Sequence, residues 1–258
     1  MRIILAFLLM LPLLLSEAAA EMHDLPFLTV YAASGLTLPL SEIVRTYSAN
    51  HDITINVTYE SSSELTSRIE EGSGADIFIA AHPEWIDKLA KRGMVIGKPS
   101  PIISNELAVI AANDSALLPT LSPPMPLQKL LTMIANHTIV VIGDPDSVPL
   151  GKYTKESLQQ LSVWKRFSPL VIRAATARIA LHLIAQGKTV GITYLSDATN
   201  NPEVKILAVI PDNTHSPIIN EAAVISDEHV EEARNFIDFL KSDEAQKIFI
   251  NKGFRKLP

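Results

Sequence analysis

Short β-branched runs alternate with amphipathic helical segments along this chain, and few folds accommodate that alternation. Residues 28–32 and 53–59 read as strands on either side of a helix marked by Leu38, Leu40, Ile43, Val44 and Tyr47, which is a βαβ beginning. Residues 76–80 follow as a strand, 83–92 as a helix and 107–111 as another strand. Strands separated by helices of this length return in the same direction, so an α/β class with mostly parallel sheets is expected.

Pro119, Pro123, Pro124 and Pro126 crowd the ten residues 117–126, which predicts a surface loop rather than a helix interior or a central strand. A fresh set of units begins beyond it, with strands at 138–142, 171–174, 189–193 and 204–210 and helices at 149–161 and 177–186. The tail, 229–254, is helical by the spacing of Val230, Ala233, Phe236, Ile237 and Leu240. A tail that packs on the first block requires two crossings. Residues 21–106 with 213–258 would then form one lobe, 107–212 the other, and a ligand cleft would lie between them. The sequence carries no internal repeat.

Arg2, the apolar run 3–15 and the small residues ending at Ala20 predict a cleavable export signal, residues 1–20, with the mature chain starting at Glu21. Thirteen apolar residues fall short of the roughly 20 that span a bilayer, so no stable membrane insertion is expected. The chain has no cysteine, which removes lipid attachment through a cysteine and any disulfide framework. Its net charge of −6 argues against nucleic acid and sets the long-range field against anions, so an anion site must attract locally.

Four predicted strands end in small or hydroxyl residues that open a helix: Ala32 to Gly35, Glu60 to Ser63, Val148 to Gly151 and Ala174 to Ala177. Each places free amides and the positive end of a helix dipole at a strand's carboxyl edge, where open α/β sheets bind ligands. Ordinary helix capping explains any one of them; four together suggest a cage of donors. Gly151 would allow a ligand close to the backbone. Asp144, Pro145 and Asp146 form a turn sequence more readily than a metal site, because no partner ligands stand at metal spacing. The seven histidines include no i, i+4 helical pair. A hydrolase built on Ser62 or Ser34 lacks the Gly-x-Ser-x-Gly frame, so no enzyme activity is expected. Tyr194, after the strand at 189–193, could either cap the core or offer its phenol to a ligand. Trp85 and Trp164 read as packing residues.

Taken in order, these segments resemble the periplasmic molybdate-binding proteins from residue 28 to 254. Val30-Tyr31-Ala32-Ala33-Ser34, Ser61-Ser62-Ser63 with Leu65 and Ile69, and Ala75-Asp76-Ile77-Phe78-Ile79 with Trp85 carry the likeness. Gly143-Asp144-Pro145 with Val148, Pro149 and Gly151, then Gly191-Ile192-Thr193-Tyr194, and the closing 245–254 stretch complete it. The resemblance implies a two-lobed periplasmic-binding-protein fold that holds molybdate or tungstate in its cleft, through hydroxyls and amides with no counter-charge. It implies a site of Ser34, Gly35, Ser62, Leu150, Ala177 and Tyr194, a monomer, no cofactor, and delivery to the permease of an ABC importer. One departure stands out: Gly35 occupies the place before Leu36 where the family commonly has serine, and the hydroxyl comes one residue earlier, at Ser34. That departure leaves sulfate or an organic anion as the alternative ligand class.

Overall fold

The computed structural model describes residues 27–121, 125–187 and 189–257; the expected export signal, Pro123 and Pro124 lie outside them. Strand β1 (Phe27–Ala33) passes through a 3-10 turn (Ser34–Leu36) into α1 (Thr37–His51). Then come β2 (Thr54–Glu60), α2 (Ser62–Glu70), β3 (Ile77–Ala80), α3 (Pro83–Ala90) and β4 (Ile96–Ser104). The middle of the chain comprises β5 (Leu107–Ala112), α4 (Leu118–Leu121), α5 (Leu127–His137), β6 (Val140–Gly143), α6 (Pro149–Gln160) and α7 (Trp164–Phe167). It continues with β7 (Val171–Ala174), α8 (Ala177–Gln186), β8 (Val190–Tyr194), α9 (Leu195–Ala198) and β9 (Val204–Val209). The end of the chain forms β10 (Ile219–Val224), α10 (Val230–Leu240) and α11 (Asp243–Asn251).

These strands build two five-stranded sheets, in the orders β2-β1-β3-β10-β4 and β7-β6-β8-β5-β9. Within each, four strands share one direction and a single strand, β10 or β5, runs against them. The reversed strand is in each case the first one laid down after the chain changes sheets, and a strand entering from the opposite lobe arrives from the far side. The two sheets therefore repeat one topology although the sequence repeats no motif.

Helices cover both faces of each sheet, which is why β3 and β5 read as unbroken apolar runs and are buried along their whole length. In β3 the side chains alternate: Ile77 and Ile79 join the cluster containing Leu40, Ile43 and Phe236, while Phe78 and Ala80 join the one containing Leu65 and Leu89. The second sheet packs through Val109, Val141, Ile142, Phe167, Ile184 and Ile192.

Two expectations need correction, and two strands lie outside the expected set. Pro119 lies inside α4 rather than in loop, at the second position of a single turn where its missing N–H costs nothing. The tail is two helices, because Ser242 caps a new one by accepting the Ala245 N–H at 3.3 Å. Strands β4 and β10 follow no periodic signal; β4 carries Pro99 and Pro101 and is tolerated as a strand because it sits at the sheet edge.

Candidate functional site

The registers of the two sheets bring the helix starts together. Ala33, the last residue of β1, pairs with Glu60, the last of β2, so the Ser34–Leu36 turn and α2 leave the first sheet side by side. Gly143 pairs with Ala174 in the same way at the carboxyl ends of β6 and β7. The six residues expected from the sequence, Ser34, Gly35, Ser62, Leu150, Ala177 and Tyr194, all line one small cavity between the sheets, with a volume of about 10 Å3. Ser34, Gly35 and Ser62 come from the first lobe, and Leu150, Ala177 and Tyr194 from the second.

Ser62 is fully buried at the first position of α2, and its Oγ accepts the Ala81 N–H at 3.0 Å. The hydroxyl proton therefore remains to be donated elsewhere. Capping is left to the preceding Ser61, whose Oγ accepts the Glu64 N–H at 3.3 Å, so the first amides of α2 keep no helical partner. Thr176 does the same for α8 by accepting the Ile179 N–H at 3.1 Å. Helix α6 has no side-chain cap at Val148, and Pro149 occupies its first turn, so its leading amides start at Leu150. The Ser34 carbonyl accepts the Thr37 hydroxyl at 2.7 Å, which holds the turn that presents the Ser34 and Gly35 amides.

Tyr194 ends β8 with 3% of its surface exposed, and its phenol oxygen is buried with no hydrogen-bond partner among the described residues. Burial, reinforced by Tyr153 and Asp197, pushes its pKa well above the usual tyrosine range, so the phenol stays protonated and able to donate. A Cβ on Gly35 would stand 3.5 Å from the Tyr194 ring, so the first-lobe turn and the second-lobe aromatic lie in near contact.

Ala33, Glu60, Ser61, Ala81, Val148 and Pro149 complete the wall, which contains no lysine, arginine or histidine. Glu60 is its one acidic residue, so attraction for an anion has to come from hydroxyls, amides and helix dipoles. Asp197 follows close behind Tyr194; burial pushes its carboxyl up to about 7, against a Thr193 hydroxyl that donates to it at 2.9 Å and the charge of Arg178.

Ala81 escapes a sequence reading confined to four strand ends, although Ala80-Ala81-His82-Pro83 is a fifth strand-to-helix start of the same small-residue kind. Gly151 has a different role from the one expected. It lies outside the cavity wall, and a Cβ there would collide with the Gly143 and Asp144 carbonyl oxygens, so the glycine lets α6 pack onto the end of β6. The Asp144 carboxylate closes its turn by accepting the Asp146 N–H at 2.8 Å and the Ser147 N–H at 3.2 Å. Trp164 packs against the second core and Trp85 against the cluster containing Leu65 and Leu89, as expected, and Trp85 also lies half-buried under an ammonium group of the other lobe.

A cleft between two α/β lobes, lined by helix starts and unspent donors, is the arrangement of a solute receptor, and the family model described as bacterial extracellular solute-binding protein matches residues 28–255. The chain belongs to this family. Among its solute-binding relatives, the putative ABC transporter substrate-binding lipoprotein YvgL of Bacillus subtilis is 32% identical over 253 residues, covering 96% of this chain and 94% of the relative. The molybdate-binding protein ModA of Escherichia coli is 31% identical over 237 residues, 88% of each chain. The solved periplasmic molybdate-binding protein of Azotobacter vinelandii superposes with a TM-score of 0.77 at 20% identity, covering 90% of this chain and 99% of that one, and shares its fold. A solute-binding protein is a transport component and not an enzyme, so the serine-hydrolase alternative falls.

Proposed function

We propose that this solute-binding protein captures a tetrahedral oxyanion, molybdate with tungstate as its nearest competitor, and presents it to the permease of an ABC importer. The observation that carries the reading is the cavity that gathers Ser34, Gly35, Ser62, Leu150, Ala177 and Tyr194 around donors with no cationic side chain. Relatives named as molybdate-binding proteins support the choice of ligand.

The chemistry of the wall suits such a dianion. Each hydrogen bond to a charged acceptor contributes about 1.5–3 kcal/mol, so the Ser62 and Tyr194 hydroxyls with amides from four helix starts can offset the desolvation of the ion. Hydrogen phosphate brings a proton that would face these donors, which selects against it. Sulfate carries no such proton and is separated from molybdate by the size of the closed cavity. Because three contacts come from each lobe, the ligand is held fully only when both lobes meet around it, and their closure would be the signal read by the permease. The proposed lobes are 21–106 with 213–258, and 107–212. The protein would work as a monomer in the periplasm after removal of residues 1–20.

Elemental analysis and native mass of protein purified from medium containing molybdate, tungstate and sulfate test the reading, with calorimetric competition among the three to rank them. One equivalent of molybdenum or tungsten per chain is expected. No calorimetric response to micromolar concentrations of any of the three would overturn it.

A further inference from the structure

Next to the cavity, but outside it, a second set of contacts joins the lobes. On the first lobe, Ala81 lines the cavity and is followed directly by His82, Glu84 and Trp85 at the start of α3. On the second, Leu150 lines the cavity and is followed by Lys152 and Tyr153 in α6. Lys152 Nζ lies 2.6 Å from a Glu84 carboxylate oxygen and 5.1 Å from the centre of the Trp85 ring. The His82 ring stacks on Tyr153 with centroids 4.7 Å apart, and its Nδ1 accepts the Glu84 N–H at 3.2 Å. Tyr153, fully buried, meets His215 edge-on at 6.0 Å, and its hydroxyl donates to the Pro217 carbonyl at 3.4 Å. The column thus runs from the first lobe through the second to the segment that returns the chain between β9 and β10.

We propose that His82, Glu84 and Trp85 with Lys152 and Tyr153 form a cross-cleft clasp that sets how readily the lobes close, and so tunes ligand affinity without touching the ligand. The logic is one of populations: contacts that exist only in the closed form raise its share, and apparent affinity scales with that share. The Lys152 ammonium is well placed for this. It joins one lobe to the other through a carboxylate and an aromatic face at once, whereas opening leaves it hydrated and unpaired. Residues of the clasp are positioning residues, since none lines the cavity. The link to affinity rests on the oxyanion reading; the link to closure does not.

Charge reversal separates this role from general stability. With Trp164→Phe as background, Trp85 is the only indole and reports its own surroundings. Lys152→Glu sets like charges across the cleft and is expected to shift Trp85 emission to the red, enlarge the radius of gyration by small-angle scattering, and weaken molybdate binding by about tenfold. Adding Glu84→Lys restores the pair in reverse and should recover most of each loss, while circular dichroism confirms that both variants fold. The proposal is overturned if Lys152→Glu leaves emission, scattering and affinity unchanged, or if the swapped pair behaves no better than the single variant. Should wild-type protein ignore molybdate, emission and scattering of the free variants still decide whether the clasp governs closure.

Discussion

Ser62 Oγ and the Ala81 amide are joined by a 3.0 Å hydrogen bond that runs from backbone to side chain, and its direction determines what Ser62 has left to give. As acceptor from Ala81 it retains its own proton, aimed by elimination at something other than that amide.

Replacing this serine therefore has two separable effects. Ser62→Ala should weaken molybdate binding by about 1.5–3 kcal/mol, tenfold to over a hundredfold, through loss of the donor. It should also lower stability by about 1–3 kcal/mol, because the buried Ala81 N–H loses its acceptor. Calorimetric titration measures the first and denaturant unfolding without ligand the second; unchanged affinity would remove Ser62 from the site.

Tyr194 invites the opposite pairing of outcomes. Its phenol oxygen is buried without a partner among the described residues, so Tyr194→Phe breaks no hydrogen bond within the fold. The unliganded variant should be as stable as the parent or slightly more so, while oxyanion affinity falls by about tenfold or more. A variant that loses stability and keeps affinity would assign the phenol to the core instead.

Asp197 makes stability depend on pH. The folded carboxyl holds its proton up to about 7, whereas its ordinary value is 3.8, so folding takes up a proton between those limits. Its contribution is most favourable in acid and is lost as pH rises through about 7. Asp197→Asn preserves an acceptor for Thr193 and cannot ionise. It should be more stable than the parent at pH 8, by on the order of 2 kcal/mol, with a smaller gain at pH 5. Thermal melts across this range test the trend, and equal differences at both pH values would contradict it.

Gly151→Ala should leave no room for α6 to seat on β6, since the added methyl meets the Gly143 and Asp144 carbonyl oxygens. A loss of about 2–4 kcal/mol is expected, seen as a fall in Tm of about 5–10 °C. Gly35→Ala is a useful contrast: its methyl would reach only ordinary contact distance from the Tyr194 ring, so the fold should tolerate it.

How much of this was legible in the sequence depends on the range of the physics involved. Helix starts are local events, set by Ser61, Thr176 and Pro149 within a few residues, and they mark the strand ends that carry Ser34, Gly35, Ser62, Leu150 and Ala177 to the cavity wall, whereas Tyr194 ends a strand and is singled out as a ligand contact by the family resemblance. The break at Ser242 was legible too, from a serine followed by Asp243 and Glu244, but the apolar spacing of the tail hides it. Strand β10 pairs with β3 and β4, more than a hundred residues away, and neither partner leaves a mark on its local pattern. Gly151 looked like an opening for a ligand because a missing side chain signals close approach without saying of what. The clasp of Lys152 on Glu84 and Trp85 joins separate lobes, and spacing along either helix is blind to it.

The position of β10 bears on the order in which the molecule can be made. It lies between β3 and β4, so the first sheet has a gap in its middle until residues 219–224 arrive, while every strand of the second sheet is present once Val209 has emerged. A chain emerging from its amino end could thus complete the second lobe first and must hold the first open, with the β10 side of Ile77 and Ile79 unpaired, until residues 219–224 are free. Truncation shortly before Ile219 would leave one lobe whole and the other unable to close its sheet.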